Sequence, residues 1–385
     1  MYKWSIFLCL LVFSCNTASE NNQIKHYDEQ FHIDILDTVK VSIIGKNVKA
    51  IDFDYLNKRI LYCDVAKIDT IYITNYEGML LSKLSIPKEG ENGIGNVIHN
   101  VGFTHNSNII INSNRGFFTI NKDGKIIHIV KEKTNILTYG AGIIPRIRTY
   151  FVGQNLFAVL HLKSSFDGNL LSQKGYKEYK PITVYDLKSG KFSFTGGYDE
   201  NSLFVKDEIH FGEPLNLFDV DDKGNIYTIN SPESIVYVYN INNPEKKKQL
   251  FNIFPENFKQ NLKFSFSGKI TPDSKEQIVN GQFIDINCSN DTILLTYRTG
   301  ISEDIVSQVR SSSEYPEIFK KHMKYFAIFL VKGQKVCHDI EMPFGGTNIA
   351  FIDNNGLLFI NTNRLMNEKD DCTIFYRCRL TLNKE

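Results

Sequence analysis

The stretch Phe218-Asp219-Val220-Asp221-Asp222-Lys223-Gly224-Asn225-Ile226-Tyr227, followed by Ile235-Val236-Tyr237-Val238-Tyr239, decides the fold. Apolar and aromatic runs flank a polar turn, and Asp, Lys and Gly supply the positive φ that a tight hairpin requires. A second copy runs from Ala350 to Phe359 and is followed by Thr373-Ile374-Phe375-Tyr376. The module of strand, turn, strand, loop and strand recurs about six times, with a period of about 50 residues early and about 65 later.

The strands of this module are apolar on both faces, so each sheet must be covered on both sides. Stacking the sheets as blades around an axis provides that cover and leaves few exposed edges. The sequence therefore predicts an all-β, six-bladed β-propeller over residues 31–385. The segments Phe31–Ile35 and Val39–Ile43 alternate at period two and precede the first module. We expect this N-terminal strand to pair with the last blade and close the ring, because closure removes an open edge.

Two insertions lengthen the modules. Residues 163–180 are polar and contain glycine, which predicts a loop. Residues 301–323 carry helix signals in the fifth blade. Ser302 precedes Glu303 and Asp304 as an N-cap with an acidic first turn, and Pro316 begins a second short helix. Long loops are often functional, although a surface excursion without a role explains such segments equally well.

The N-terminus has the pattern of a secretory signal. Lys3 precedes an apolar run from Ile6 to Phe13, which is too short to span a bilayer, since spanning requires roughly 20 residues. Val12-Phe13-Ser14-Cys15 resembles a bacterial lipobox. The resemblance implies that residues 1–15 end at a lipidated Cys15, that residues 16–30 are a polar tether, and that acyl chains on Cys15 anchor the protein to the membrane of a bacterial cell envelope. An ordinary signal cleaved nearby and an uncleaved anchor are the alternatives. Periplasmic and surface-facing locations both stay open.

A linker between the first two modules carries a family resemblance. The stretch Pro87-Lys88-Glu89-Gly90-Glu91-Asn92-Gly93-Ile94-Gly95 resembles the inter-blade linker of TolB-like, six-bladed propeller lipoproteins of Bacteroidota, which include a large family of unknown function. Glu91 stands where a proline is common in that linker. The resemblance covers residues 45–382 and the lipobox, and it implies architecture without implying an activity.

Composition limits the classes of partner. The 385 residues carry a formal net charge of +1, whereas nucleic-acid binding usually requires a basic field, so we expect no nucleic-acid partner. Outside the signal segment five cysteines remain, with no C-x-x-C spacing: Cys63, Cys288, Cys337, Cys372 and Cys378. We interpret Cys63, Cys288 and Cys372 as small buried side chains, with a disulfide as the alternative.

The sequence supports no catalytic residue, cofactor or metal site of a known pattern. The nine histidines are scattered and none forms H-x-H or H-E-x-x-H. The stretch Asp219–Gly224 resembles a calcium loop, but Lys223 occupies a ligand position and Asn230 stands where the bidentate Glu should be, so we predict a β-turn. The chain also has no G-x-S-x-G elbow.

A shared register points to one candidate site. The residues eight positions before Gly224 and Gly356 are both asparagines, and the same count from Asn108 and Asn290 gives an asparagine and a glutamine. With an arginine in the third module and a glutamate before the fourth, these side chains are predicted to ring one mouth of the channel: Asn100, Arg148, Glu213, Asn216, Gln282 and Asn348. They either bind a small ligand or metal, or satisfy strand-end backbone groups and channel water.

Two functions are compatible with these features. The leading prediction is a lipid-anchored, monomeric binding module that presents loops and a channel mouth to a protein, peptide or glycan. The alternative is a metal-dependent hydrolase. Lactonase-type six-bladed propellers resemble the predicted architecture and hold a metal on the axis with Glu, Asn and Asp side chains. A purely structural envelope component is a third possibility.

Overall fold

Short antiparallel strands follow one another along the chain as the module predicts. The structure is a computed structural model that describes residues 31–41, 43, 48–64, 68–90, 93–131, 146–161, 173–200, 202, 205, 209–210, 215–231, 233–259, 264–265, 278–289, 291–309, 311–353, 355–362 and 373–382. These strands form six blades in a ring, which confirms the β-propeller. Within each blade we letter the strands A to D from the axis outward.

The first three blades are simple four-stranded meanders. Blade 1 contains β2 (Val48–Asp54), β3 (Arg59–Asp64), β4 (Thr70–Asn75) and β5 (Leu80–Ser85). Blade 2 contains β6 (Ile98–Phe103), β7 (Ile109–Ser113), β8 (Gly116–Ile120) and β9 (Ile126–Lys131). Blade 3 contains β10 (Ile147–Val152), β11 (Asn155–His161), β12 (Ile182–Asp186) and β13 (Phe192–Thr195), with the helix α1 (Gln173–Glu178) between β11 and β12.

The other three blades carry the additions. Blade 4 contains β15 (Leu215–Val220), β16 (Asn225–Ser231), β17 (Ile235–Asn240) and β18 (Gln249–Asn252), and a separate pair is formed by β14 (Ile209–His210) and β19 (Phe264–Ser265). Blade 5 contains β20 (Gln282–Ser289), β21 (Thr292–Arg298), β22 (Tyr325–Val331), β23 (Gln334–Lys335) and β24 (Ile340–Glu341). Blade 6 contains β25 (Gly346–Ile352), β26 (Leu357–Thr362), β27 (Thr373–Leu382) and β1 (Phe31–Val41).

The N-terminal strand closes the ring, as predicted. β1 pairs antiparallel with β27, from Phe31 opposite Leu382 to Val41 opposite Thr373, and it forms the outermost strand of blade 6. An ion pair joins the two strands, because Arg377 Nε donates to Asp37 Oδ1 at 2.9 Å. The last blade is thus assembled from both ends of the described chain.

The hairpin turns hold their shape through aspartate side chains. Asp221 Oδ1 accepts hydrogen bonds from the backbone N–H groups of Lys223 and Asn225 at 2.9 and 2.8 Å, and Gly224 has a φ of 73°. In the equivalent turn of blade 6, Gly356 has a φ of 77°. Both positions require the left-handed backbone that glycine adopts without strain. The calcium-like stretch is therefore a β-turn, as predicted.

Apolar side chains from neighbouring blades pack together between the sheets. At the junction of blades 1 and 6, the rings of Phe53 and Phe351 have centroids 3.7 Å apart, and Tyr76 lies 5.1 Å from both Phe351 and Phe359. Each fully buried ring of this kind contributes about 1.5–3 kcal/mol relative to an exposed one. The prediction that each sheet is covered on both sides is confirmed, since all of β16 is buried.

The helical insertion in blade 5 is also confirmed. The helix α2 (Glu303–Ser307) begins after the N-cap Ser302, although the serine side chain makes no capping hydrogen bond, and the 3₁₀ turn η1 (Ser312–Glu314) leads into α3 (Tyr315–His322). Val306 and Met323 are buried beneath the insertion. Among the described helices none has the length and apolar character needed to cross a bilayer.

Two local predictions were wrong. Residues 173–178, predicted as loop, form α1, because Gln, Lys and Glu favour a helix despite the interior Gly175, and Pro181 follows the helix end. In the fifth module the sequence of Lys335–Met342 predicts one outer strand, but the structure divides this stretch into β23 and β24. The division lies where Lys335 Nζ contacts Glu256 Oε1 at 2.6 Å and Tyr297 Oη donates to Asp339 Oδ2 at 2.5 Å, so polar side-chain contacts replace strand pairing there.

The described cysteines are free thiols, as the interpretation of buried side chains requires. Cys63, Cys337 and Cys378 are buried, and Cys288 is partly buried. Burial raises the pKa of the Cys337 thiol to about 11, so this side chain is a packing residue in its protonated form. Cys372 lies outside the described residues.

The connections between strands differ sharply at the two ends of the blades. The A–B and C–D connections are tight turns, of which 241–248 is the longest. The B–C and D–A connections lie at the opposite end of the strands and include the long segments 132–146, 162–181, 196–214, 253–281 and 299–324. We call these two ends the turn face and the loop face. Because scaffold-supported loops carry most binding sites, the loop face is where function is expected.

Candidate functional site

Charged side chains from four blades meet along the axis. The innermost strands β2, β15 and β20 contribute Asp52, Asp219 and Asp285, which expose only 2%, 4% and 3% of their surface. Blade 3 contributes Arg146, which is buried, and Arg148. Burial of an unpaired charge is very unfavourable, so such groups must contact one another.

Arg148 joins blades 1 and 4 across the axis. Its Nε donates to Asp219 Oδ1 at 2.6 Å, and its Nη1 forms an ion pair with Asp52 Oδ1. Burial disfavours the charged guanidinium, yet the two carboxylates hold the pKa of Arg148 above its ordinary value. Burial raises the pKa of Asp52 in spite of the attraction of Arg148. The three side chains therefore form one desolvated charge network.

Arg146 makes a second connection beside the first. Its Nη1 lies 3.6 Å from Asp285 Oδ1, and its Nε donates to the carbonyl of Ile51 at 3.3 Å. Asn348 Nδ2 donates to Asp285 Oδ2 at 2.8 Å. Burial raises the pKa of Asp285, against the effect of Arg146. The two arginines of blade 3 thus reach blades 1, 4 and 5.

The same inner strands are fastened to their neighbours through the backbone. Asp52 Oδ2 accepts the N–H of Phe103 at 2.7 Å, and Asp219 Oδ2 accepts the N–H of Cys288 at 2.8 Å. In the next pair of blades, Asn287 Nδ2 donates to the carbonyl of Ile349 at 2.8 Å. Each contact fixes the vertical register of one blade against the next. The axial network is consequently a structural hub as well as a candidate site.

The predicted mouth residues divide into two groups. Arg148 and Asn348 belong to the axial network, and Asn100 lies beside it, with its Nδ2 3.5 Å from the carbonyl of Arg146. Asn216 and Gln282 contact side chains away from it. Asn216 Nδ2 donates to the Tyr179 hydroxyl at 3.2 Å, and Gln282 Oε1 accepts from Arg298 Nη2 at 2.9 Å. Glu213 lies outside the described residues.

Four of the predicted mouth residues have polar cross-strand partners that the sequence prediction missed. Each faces a polar residue at the loop end of strand B, in the pairs Asn100–Asn112, Asn216–Asn230, Gln282–Arg298 and Asn348–Asn361. A repeated tripeptide could have indicated them, namely Ile111-Asn112-Ser113, Ile229-Asn230-Ser231 and Ile360-Asn361-Thr362. We call the seven asparagine and glutamine residues among these eight the carboxamide row.

The carboxamide row lies beneath the loop face and not on it. Asn100, Asn112, Asn216 and Asn230 expose at most 4% of their surface. Asn361 Nδ2 donates to Asn348 Oδ1 at 3.1 Å, and Asn112 Nδ2 lies 3.4 Å from Asn100 Oδ1. These side chains therefore bond to one another between strands A and B.

A buried histidine marks the junction of blades 3 and 4. The ring of His161 meets Phe218 edge-on at a centroid distance of 4.6 Å. Burial, followed by the positive charge of Arg146, lowers the pKa of His161 to about 4, although the carbonyl of Pro181 favours the protonated ring. His161 is therefore neutral at physiological pH.

The charged residues do not fit a resident metal ion on the axis. A divalent cation bound by oxygen ligands needs several carboxylate or carbonyl groups directed at one point. Asp52, Asp219 and Asp285 instead face guanidinium groups. Within the part of the chain that the structure describes, no three His, Cys, Asp or Glu side chains are grouped to hold a metal.

Two aromatic side chains are prominent on the loop face. Phe254 follows β18 in the linker from blade 4 to blade 5, and Phe344 follows β24 in the next linker. They expose 71% and 76% of their surface. Exposed aromatic rings on a rigid support are typical anchors of a binding surface.

No family model and no curated protein matches the chain. Among solved structures, the chain is similar to a member of the DUF4221 family from Bacteroides vulgatus, with 13% identity, a TM-score of 0.62, and coverage of 92% of this chain and 99% of that one. It is also similar to a "putative exported protein" from Bacteroides fragilis, with 9% identity, a TM-score of 0.50 and coverage of 91% and 96%. A gluconolactonase from Xanthomonas campestris matches at 10% identity and a TM-score of 0.42, with coverage of 90% and 91%. At these identities the likeness shows the propeller fold alone.

Proposed function

We propose that this protein is a lipid-anchored binding module of a bacterial cell envelope, whose loop face binds a protein, peptide or glycan. The exposed pair Phe254 and Phe344 carries this proposal, because both rings lie on the face with the long connections. Burying two such rings would favour association, since aromatic residues often dominate binding energy.

The chemistry of the axis supports a binder over a hydrolase. Hydrolysis at a metal requires ligands that are free to coordinate it, whereas the three axial carboxylates are engaged by Arg146 and Arg148. A rigid hub along the axis suits recognition, because it fixes the inner strands relative to one another before the partner arrives and so reduces the entropy lost on binding.

The anchor belongs to the same proposal. Cys15 and the tether 16–30 lie outside the described residues, so the lipid rests on the lipobox resemblance. Metabolic labelling of cells with an alkyne fatty acid should mark the wild type and leave a Cys15→Ala variant unlabelled. Labelling that persists in Cys15→Ala, or that is missing from the wild type, would remove the anchor from the proposal.

The binding surface is tested by cross-linking in cells. A photoreactive phenylalanine analogue is placed at Phe254 or Phe344, with Leu56 on the turn face as the matched control, since Leu56 is 74% exposed. We expect discrete adducts from the two loop-face positions and none from Leu56. Adducts from Leu56 alone, or from no position, would refute a partner on the loop face.

A further inference from the structure

Lysines are concentrated at one level of the ring. The C–D turns of blades 2 to 5 contain Lys122, Lys125, Lys188, Lys191, Lys246, Lys247, Lys248 and Lys332, against Asp123 and Glu245. The inner A–B turns carry a net negative charge. Their acidic residues are Asp221, Asp222, Asp291 and Asp353, and their lysines are Lys58 and Lys223. The whole chain has a formal net charge of only +1, so this is a sorting of charge and not a general excess. We call the C–D turns of blades 2 to 5 the basic rim.

Most of the basic rim is available to a partner. Lys122, Lys188, Lys191, Lys246 and Lys332 are exposed, whereas Lys247 forms an ion pair with Asp199 and Lys248 donates to Asn225 Oδ1 at 3.0 Å. Blade 1 adds Met79 to the same ring of turns, and this apolar side chain is 61% exposed. Basic turns beside an exposed apolar side chain suit an interface that is both anionic and amphipathic.

The chain enters the propeller at the same level. β1 is strand D of blade 6, and its first residue, Phe31, lies opposite Leu382 at the turn-face end of β27. By the repeat of the ring, Phe31 occupies the position that a C–D turn occupies in the other blades. The start of β1, to which residues 16–30 are attached, therefore lies at the level of the basic rim.

We infer that the basic rim docks on an anionic phospholipid surface, so that the turn face lies against the membrane and the loop face points away from it. This orientation deepens the proposed envelope location and rests on it. The 15 residues from 16 to 30 span at most about 50 Å even when fully extended, so an anchor at Cys15 would keep the rim within that distance of the lipid headgroups. Each lysine near such a surface contributes attraction equivalent to about a fivefold gain in partitioning.

The test uses vesicles and the chain from residue 16 onward, which retains every described strand but lacks the apolar signal segment. Its partitioning is measured by sedimentation with neutral phosphatidylcholine vesicles and with vesicles that contain phosphatidylglycerol. The rim variant combines Lys122→Glu, Lys188→Glu and Lys246→Glu. The control carries the same charge change on the loop face, as Lys177→Glu, Lys180→Glu and Lys320→Glu.

We expect the unmodified chain to bind the anionic vesicles, to release them as salt rises, and to ignore the neutral ones. The rim variant should bind about 100-fold more weakly, while the control variant changes by less than about fivefold. No preference for anionic vesicles, or an equal loss in both variants, would overturn the inference. Cross-linking at Phe254 and Phe344 does not depend on this result, so the failure of either proposal is distinguishable from failure of the other.

Discussion

Removal of Arg148 is the most informative perturbation of the axis. Arg148→Met keeps an unbranched apolar stem and removes the charged guanidinium that faces Asp52 and Asp219. Both carboxylates are buried, with side-chain exposures of 3% and 5%, so neither can recover its hydration. Breaking a buried pair from one side costs about 3–5 kcal/mol of unfolding free energy. For a domain of about 350 residues this corresponds to a decrease of roughly 4–7 °C in Tm.

The matched control is the same substitution at Arg377, in the outer strands of blade 6. Arg377 and Asp37 form an ion pair whose side chains are 30% and 42% exposed. Exposed pairs contribute about 0–1 kcal/mol, so Arg377→Met should shift the unfolding free energy by no more than that. Urea denaturation followed by far-UV circular dichroism measures both variants against the wild type. If the two variants lose equal stability, the axis is not the hub described above.

The pH dependence of Arg148→Met provides a second criterion. Burial raises the pKa of Asp52 in the wild type, and the loss of Arg148 should raise it further. Folded Asp52 then retains a proton in a range where the unfolded side chain has lost it, so folding becomes weaker as pH rises through that range. The destabilisation should therefore be smaller at pH 5 than at pH 8. A loss that is constant or larger at pH 5 would contradict the charge argument.

Three further predictions concern closure, titration and metal content. Deletion of 31–41 should leave an open edge on β27 and produce aggregates in size-exclusion chromatography. Deletion of 16–30 is the control and should leave Tm unchanged. An intact, equally stable monomer without β1 would refute closure of the ring by this strand. Because the pKa of His161 is lowered from 6.5 to about 4, the free energy of unfolding should fall by up to about 3 kcal/mol as the pH falls through that interval. In urea denaturation at a series of pH values, His161→Gln should remove this part of the pH dependence. An unchanged pH dependence in that variant would show that His161 does not titrate this way. Elemental analysis should find no stoichiometric divalent metal, and bound metal that disappears in Asn348→Ala would favour the lactonase-like alternative.

The sequence was sufficient to predict the ring because its signals are local. The Asp-Lys-Gly turn at Asp222–Gly224 fixes a hairpin within a few residues, and alternation within Phe31–Ile35 indicates a half-covered strand. The helix signals at Ser302 and Pro316 are local in the same way. Each of these features depends on neighbours in the sequence, so the pattern alone reveals it.

The chemistry of the axis was not predictable in the same way. Arg148 lies 96 residues from Asp52 and 71 from Asp219, and nothing near any of them in the sequence shows that they meet. The count from the turns found Asn348, but it could not show that Asp285 is its partner 63 residues away. Recognition of the repeated Ile-Asn-Ser tripeptides would have added Asn112 and Asn230. The pairing of charges across blades required the three-dimensional arrangement.

The pairing of β1 with β27 has a consequence for how the protein is made. The first strand to leave the ribosome must wait for the last one, since the contact between Asp37 and Arg377 spans 340 residues. Until β27 has been synthesised, β1 exposes unpaired backbone groups, which makes the unfinished chain a substrate for chaperones and proteases. A product truncated before β27 has no partner for β1. Closure of the ring therefore depends on the presence of both β1 and β27.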